Sequence, residues 1–347
     1  MINLSLLVAC MAGFVCSFIL SKYFAMHNVV TDRPGEEPQK IHPVKASRMG
    51  GMAVLAGIVV SAVILCFQEL ALLLLASLPT YFAAFFEDMF GRIRASLRLV
   101  IAFCSSAIFI FFFNTYIGYI DIPLIDRVLA LPIVGVAFTI FAVSGITNAF
   151  NIIDGLHGLA SAHAIIIFFF YALTAFILSD QLVFRISILV ISALLGFIIH
   201  NYPKGKILLG DNGAYFIGFM VATTSILLVY RNEGLSPWYP LLSVAYPFTE
   251  TVFSMYRRKF RRRKAPLIQA DFLHMHSLIF KRYIRENSRA SMIFLISSLA
   301  IAFLAFLFKK STLALILLYM MYFVLYTYCY LRVVRFKNGR IMALIKP

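Results

Sequence analysis

The chain has little charge. Of its 347 residues only 13% are Asp, Glu, Lys or Arg, 62% are hydrophobic, and just 15 are acidic. Soluble domains carry about a quarter charged residues, so a water-soluble globular protein is excluded. Cysteine is also scarce. The five, Cys10, Cys16, Cys66, Cys104 and Cys329, all sit in apolar runs without metal-ligand spacing, which argues against a zinc site or a disulfide framework. No internal repeat, low-complexity tract or long polar stretch marks off a separate soluble unit. Residues 1–347 therefore read as a single membrane domain.

Apolar runs fill the sequence instead. A helix needs about 17 to 25 apolar residues to cross ~30 Å of hydrocarbon. Eleven runs qualify, at roughly 3–26, 49–67, 70–86, 98–114, 132–149, 159–178, 183–200, 213–230, 238–255, 291–308 and 311–331. The expected fold is all-α, a polytopic integral membrane protein of about 11 transmembrane helices. The first run has no basic segment before it and no small-residue cleavage site, so it reads as a helix rather than a signal peptide.

Basic residues set the orientation, because Lys and Arg are retained on the cytoplasmic side. Of the 31 Lys and Arg, all but Arg127, Arg185, Arg231, Lys309 and Lys310 fall in one set of loops and adjoining helix ends. That set includes the C-terminal tail. The expectation is a cytoplasmic C-terminus and an N-terminus on the outer, periplasmic side. Most of the +16 net charge is this asymmetry plus one basic loop, so it does not call for a nucleic-acid partner.

The same loops hold five polar motifs. Glu87-Asp88 ends the third run, with Arg92 close behind. Adjacent carboxylates share a cation or raise one another's pKa, which suits a base or a metal ligand; a helix cap salt-bridged to Arg92 would use the same residues. Asn148, Asn151 and Asp154 are spaced by three and finish at Gly155. Such groups are costly at membrane depth without polar partners, and a structural network between helices is the plain alternative. Gly210-Asp211-Asn212-Gly213 places an acid between glycines, free of neighbouring side chains and open to a metal or to phosphate-bound Mg²⁺; alone it could equally be an N-cap aspartate. The loop 256–290 carries Arg257-Arg258-Lys259-Phe260-Arg261-Arg262-Arg263-Lys264, then His274-Met275-His276. Its arginines suit anionic headgroups or phosphate, and they make the histidines phosphate donors in preference to ligands of a free metal. Segment 31–51, with Lys40, His42, Arg48 and Gly50-Gly51, reads as an anion-handling lip whose glycines let backbone approach a ligand closely.

In order and on one membrane face, these motifs resemble the polyprenyl-phosphate N-acetylhexosamine-1-phosphate transferases, from about Asp32 to about Arg282. The resemblance implies an enzyme that moves a sugar 1-phosphate from a UDP-N-acetyl sugar to undecaprenyl phosphate, releasing UMP. UDP-GlcNAc is the implied donor, with GalNAc, a deoxy-N-acetyl sugar or MurNAc-pentapeptide as alternatives, and initiation of a cell-surface glycan such as O-antigen as the setting. It implies Mg²⁺, or Mn²⁺ in its place, held by Asp211 with Asn151. Glu87, Asp88, Asp154, His274 and His276 are implied catalytic residues, while Lys40, His42, Arg48, Asn148, Asn151, Arg261, Arg262 and Arg263 bind substrate. The implied location is the bacterial inner membrane, in contact with lipid and compatible with a homodimer. Three departures mark this chain: Glu87 where Asp is frequent, His157 where many relatives have a second acid, and Lys45-Ala46-Ser47-Arg48 in place of a proline-rich stretch. A membrane prenyltransferase, a transporter and an inactive scaffold are the competing readings. The first would show paired Asp-rich motifs of the Asp-x-x-x-Asp kind, which the chain lacks, and the second would place acids near mid-membrane.

Overall fold

The computed structural model describes residues 3–27, 29–31, 46–91, 93–261 and 273–335. Every regular element among them is a helix. In chain order these are α1 (Leu4–His27), α2 (Gly50–Leu65), α3 (Gln68–Phe90), α4 (Ala95–Phe113), α5 (Pro123–Leu129), α6 (Pro132–Ile153) and α7 (Leu159–Ile177). They continue with α8 (Gln181–Asn201), α9 (Gly210–Arg231), α10 (Trp238–Ser243), α11 (Ala245–Arg261), α12 (Met275–Ile279), α13 (Asn287–Leu307) and α14 (Thr312–Arg335). Helices suit a lipid-embedded chain, because each backbone group then bonds within its own segment. The protein is a multi-pass membrane protein.

Nine helices among the described residues are long and apolar enough to span, and α2 adds a shorter apolar one. Two of the expected eleven runs thus differ in detail. The second forms only the 16-residue α2, which ends at a left-handed turn on Cys66 (φ +47°) before α3 begins. The expected span 238–255 is broken at Val244 into α10 and α11. Pro247, in the first turn of α11, has no N–H to carry the ladder back across the break. The upper part of α11 is polar and basic, which makes that element amphipathic instead of uniformly greasy.

Around the centre runs α9, with 78% of its most apolar window buried, against 17% for the peripheral α14. It packs on α3, α6, α2 and α7, while α1 and α8 close the side beyond α2. At one end of the bundle Asp180 caps α8 through the N–H groups of Leu182 (3.1 Å) and Val183 (3.3 Å) and accepts from Arg231 at the end of α9. The start of α9, the start of α2, and the ends of α3 and α6 meet at the opposite end.

Candidate active site

The carboxylate of Asp88, in the last turn of α3, is fully buried. Its Oδ2 accepts from the backbone N–H of Asn212 (2.8 Å) and from the Asn212 side chain (2.7 Å). Its Oδ1 takes the N–H of Asp211 (3.2 Å) and the Arg48 guanidinium (3.2 Å). The helix α9 has no capping side chain of its own. Asp88 therefore caps it from another helix, satisfying N–H groups left orphaned at a helix start and placing negative charge on the positive end of the dipole.

This arrangement corrects two expectations. Asp211 is not free of neighbouring side chains, because Arg98 from α4 pairs with its Oδ2 and Arg48 lies 3.8 Å from Oδ1. Nor do the glycines at 50 and 51 make room for a ligand. A Cβ on Gly51 would lie 2.0 Å from Asn212 Oδ1 and 2.3 Å from Gly213 Cα. These glycines let the starts of α2 and α9 touch, and the first amides of α2 donate to Leu208 (3.0 Å) and Leu209 (2.8 Å) carbonyls. Gly210 has a similar duty. It sits at φ +77°, and a Cβ there would be 2.2 Å from the Arg48 carbonyl and 3.0 Å from Asp88 Oδ2.

Asp211 stays partly open, its side chain 21% exposed beside the buried Asp88. The Arg98 guanidinium also lies 5.5 Å above the ring of Tyr215 one turn along α9, and Tyr215 donates to Asn148 Oδ1 (3.1 Å). One of the three Asn-x-x-Asn-x-x-Asp positions thereby joins the α9 site. Asp154 closes α6 just outside the span and is only partly exposed. Its carboxyl is pushed up to about 8, chiefly by burial, then by the charges of Asp211 and Asp88, against the opposing pull of Arg48. Three acids crowded together with two arginines form a site made to meet anions and cations at once. Glu87 accepts the Ile93 N–H at 2.6 Å, and its charge reaches Arg98 and Tyr215 of the site. Arg92 lies outside the described residues.

The histidine pair lies next to this cluster. His274 donates from Nδ1 to Glu250 (2.9 Å), and His276 shares a 2.9 Å hydrogen bond with the Tyr246 hydroxyl. Their rings are parallel, 6° apart in orientation with centroids 5.6 Å apart. A Cβ on Gly155 would lie 2.6 Å from His276 Nε2, so that ring rests on the turn that follows Asp154. Burial lowers His276 to about 3 and keeps it neutral. His157 looks the other way. Its ring bonds the Pro203 carbonyl (3.0 Å) and its N–H bonds Asn287 (2.6 Å), so the residue at the departed position joins the turn to a neighbouring loop and to α13.

Lys40, His42, Arg262 and Arg263 lie outside the described residues, as does the side chain of Arg261. Sequence reasoning missed Arg98 and Glu250. Each is a charged residue inside or at the edge of an apolar run, which is the signal that a residue expensive in lipid has a partner.

Among the described residues no three His, Cys, Asp or Glu side chains converge as a ready-made metal cage. The donor set instead suits a hard cation that arrives with phosphate oxygens, since such an ion uses one or two protein carboxylates and completes its shell from substrate and water. Asp211 and Asp154 are the carboxylates that would offer that chemistry.

The class defined so far is a multi-pass helical membrane protein with an acid and arginine site at one end of its bundle. Residues 70–229 match the family model for glycosyl transferase family 4. A probable undecaprenyl-phosphate N-acetylglucosaminyl 1-phosphate transferase of Bacillus subtilis is 26% identical over 279 residues, spanning 79% of this chain and 76% of the relative. Phospho-N-acetylmuramoyl-pentapeptide-transferases are also similar. That of Staphylococcus carnosus is 31% identical across 56% of this chain and 66% of its own length, and that of Staphylococcus aureus (strain bovine RF122 / ET3-1) is 30% identical across 58% and 68%. The chain belongs to this glycosyl transferase family.

Proposed function

We propose that the protein transfers an N-acetylhexosamine 1-phosphate, with GlcNAc-1-phosphate the first candidate, from a UDP-sugar to undecaprenyl phosphate and releases UMP. The observation that carries this reading is the meeting of Asp211, Asp154, Arg48 and Arg98 at the end of a membrane bundle, beside a paired histidine segment. Both substrates are anionic, and one is a lipid whose phosphate sits at the interface, so the site has to be at a helix end. The relatives named for undecaprenyl-phosphate GlcNAc transfer and for MurNAc-pentapeptide transfer support the reaction class. The positive-inside distribution supports a site on the cytoplasmic face of a bacterial inner membrane. Initiation of a lipid-linked glycan, O-antigen among the candidates, is the corresponding role.

The lipid phosphate oxygen attacks the sugar-bearing phosphorus of the donor, forming one phosphoanhydride while the bond to UMP breaks. Catalysis of such a transfer is mostly positioning and charge stabilisation. Arg48 and Arg98 exchange part of their pairing with Asp211 for contacts to the diphosphate. Asp211, with Asp154 and Asn151, would hold Mg²⁺, which supplies charge neutralisation on the diphosphate when bound. Asp88, with both oxygens occupied, holds α9 in place, and His274 and His276 line the side next to Asp154. Asp211→Asn in purified protein, supplied with undecaprenyl phosphate, Mg²⁺ and a panel of UDP-N-acetyl sugars, tests the reading through UMP release. Release by the wild type with one donor and its loss in the variant is the expected result; a folded wild type silent with every donor overturns it.

A further inference from the structure

Glu250 is an acid within the expected span 238–255, and it is fully buried. A carboxylate persists in such surroundings only when donors enclose it. Three do so here: His274 Nδ1 at 2.9 Å, the Met275 N–H at 3.1 Å and the Tyr326 hydroxyl at 2.7 Å. The first two belong to the short stretch after the basic loop, and the third comes from α14. Tyr330, one turn beyond Tyr326, donates to the Leu273 carbonyl (3.1 Å), and Arg257 donates to the same oxygen (2.6 Å). Both flanks of His274 are thus fixed from behind.

In front, the His274 ring stacks on His276, and His276 rests on Gly155 next to Asp154. A continuous set of contacts therefore runs from Glu250 through the two rings to the acid turn. With the Nδ1 proton of His274 committed to Glu250, Nε2 is the ring nitrogen left without that carboxylate, a proton acceptor in the neutral ring. The carboxylate selects the tautomer and holds the plane of the ring.

We propose that Glu250 is a positioning residue for the transfer reaction, orienting His274 and, through ring stacking, His276 against the Asp154 turn. This rests on the transferase reading given above. In full-length protein, Glu250→Gln keeps the size of the side chain and an acceptor oxygen but removes the charge. It should fold as the wild type does and hold KM for both substrates within about threefold, while kcat falls on the order of 10- to 100-fold. Added to His274→Asn, the same change should cause no further loss, because the two residues act as one unit. A kcat for Glu250→Gln within about twofold of wild type, or losses that simply multiply in the double variant, overturns the proposal. Should Glu250→Gln not fold, Tyr326→Phe, which removes one donor and leaves the carboxylate, is judged by the same two criteria. Wild-type turnover by itself tests the transferase reading, and the ratio of variant to wild type tests Glu250, so the two fail separately.

Discussion

Asp88 accepts both the backbone and the side-chain N–H groups of Asn212, and so the end of α3 is fastened to the start of α9. The residues are separated by 124 positions in the chain. Asn212→Ala removes one of these bonds and the 3.1 Å bond from its side chain to the Arg48 carbonyl. It should destabilise the protein by about 1–3 kcal/mol, the usual range for stranding a buried polar partner. Asp88→Asn should cost at least as much, because one amide face now opposes N–H donors. Thermal melts of both variants in detergent check this, and unchanged melting would remove Asp88 from its capping role.

Close backbone approach gives a second expectation. Gly51→Ala and Gly210→Ala each introduce a Cβ between 2.0 and 2.2 Å from a neighbouring oxygen, and Gly210 also has positive φ. Both should lower the yield of folded protein and abolish UMP release. Gly91→Ala is the control: that glycine meets nothing within 4 Å, so its cost is limited to positive φ, about 1 kcal/mol. Size-exclusion profiles of the three variants separate the effects.

Asp154 and His276 shift stability with pH in opposite directions. Asp154 is raised from 3.8 to about 8, so its contribution is complete below about pH 4 and is lost as pH rises toward 8. His276 is lowered from 6.5 to about 3, so its contribution is present above 6.5 and is lost as pH falls toward 3. The windows of these two groups overlap and compensate between about pH 4 and 6.5, and of the two only Asp154 acts above that. Melting of ligand-free protein should therefore fall between pH 6.5 and 8, with a slope of up to about 1.4 kcal/mol per pH unit for one proton. Asp154→Asn should flatten this region. A curve for that variant that overlays the wild type would assign the ionisation to another group.

Arg98 joins Asp211 to Tyr215, and Lys cannot reproduce a planar group that does both. Arg98→Lys should raise KM for the UDP-sugar by about 10-fold, equivalent to about 1.4 kcal/mol, with a smaller effect on KM for the lipid phosphate. Steady-state kinetics with each substrate varied in turn tests this. Equal effects on the two substrates would place Arg98 outside the diphosphate contact.

Much of this was legible in the chain. Apolar run length found the spans, because a helix must cover a fixed thickness of hydrocarbon. The motifs around Asp88, Asp154, Asp211 and His276 were found because polar groups are expensive where lipid surrounds them. The break at Val244 was not read, since hydropathy over a window averages across Pro247 and the basic end of α11. His157 gave no hint in sequence that it faces Pro203 and α13.

Sequence alone determined the all-helical membrane architecture, the gathering of the polar motifs at one end of the spans and the residue types available for phosphate chemistry, because these depend on local composition and the solvent it prefers. Only the tertiary structure decided which acid is buried and which is open. Asp88 and Asp211 are both aspartates at helix ends, but Asp88 faces the amides of another helix while Asp211 faces two arginines and the surface. Partners brought together from distant segments set the charge, exposure and role of each, and no local pattern encodes that difference.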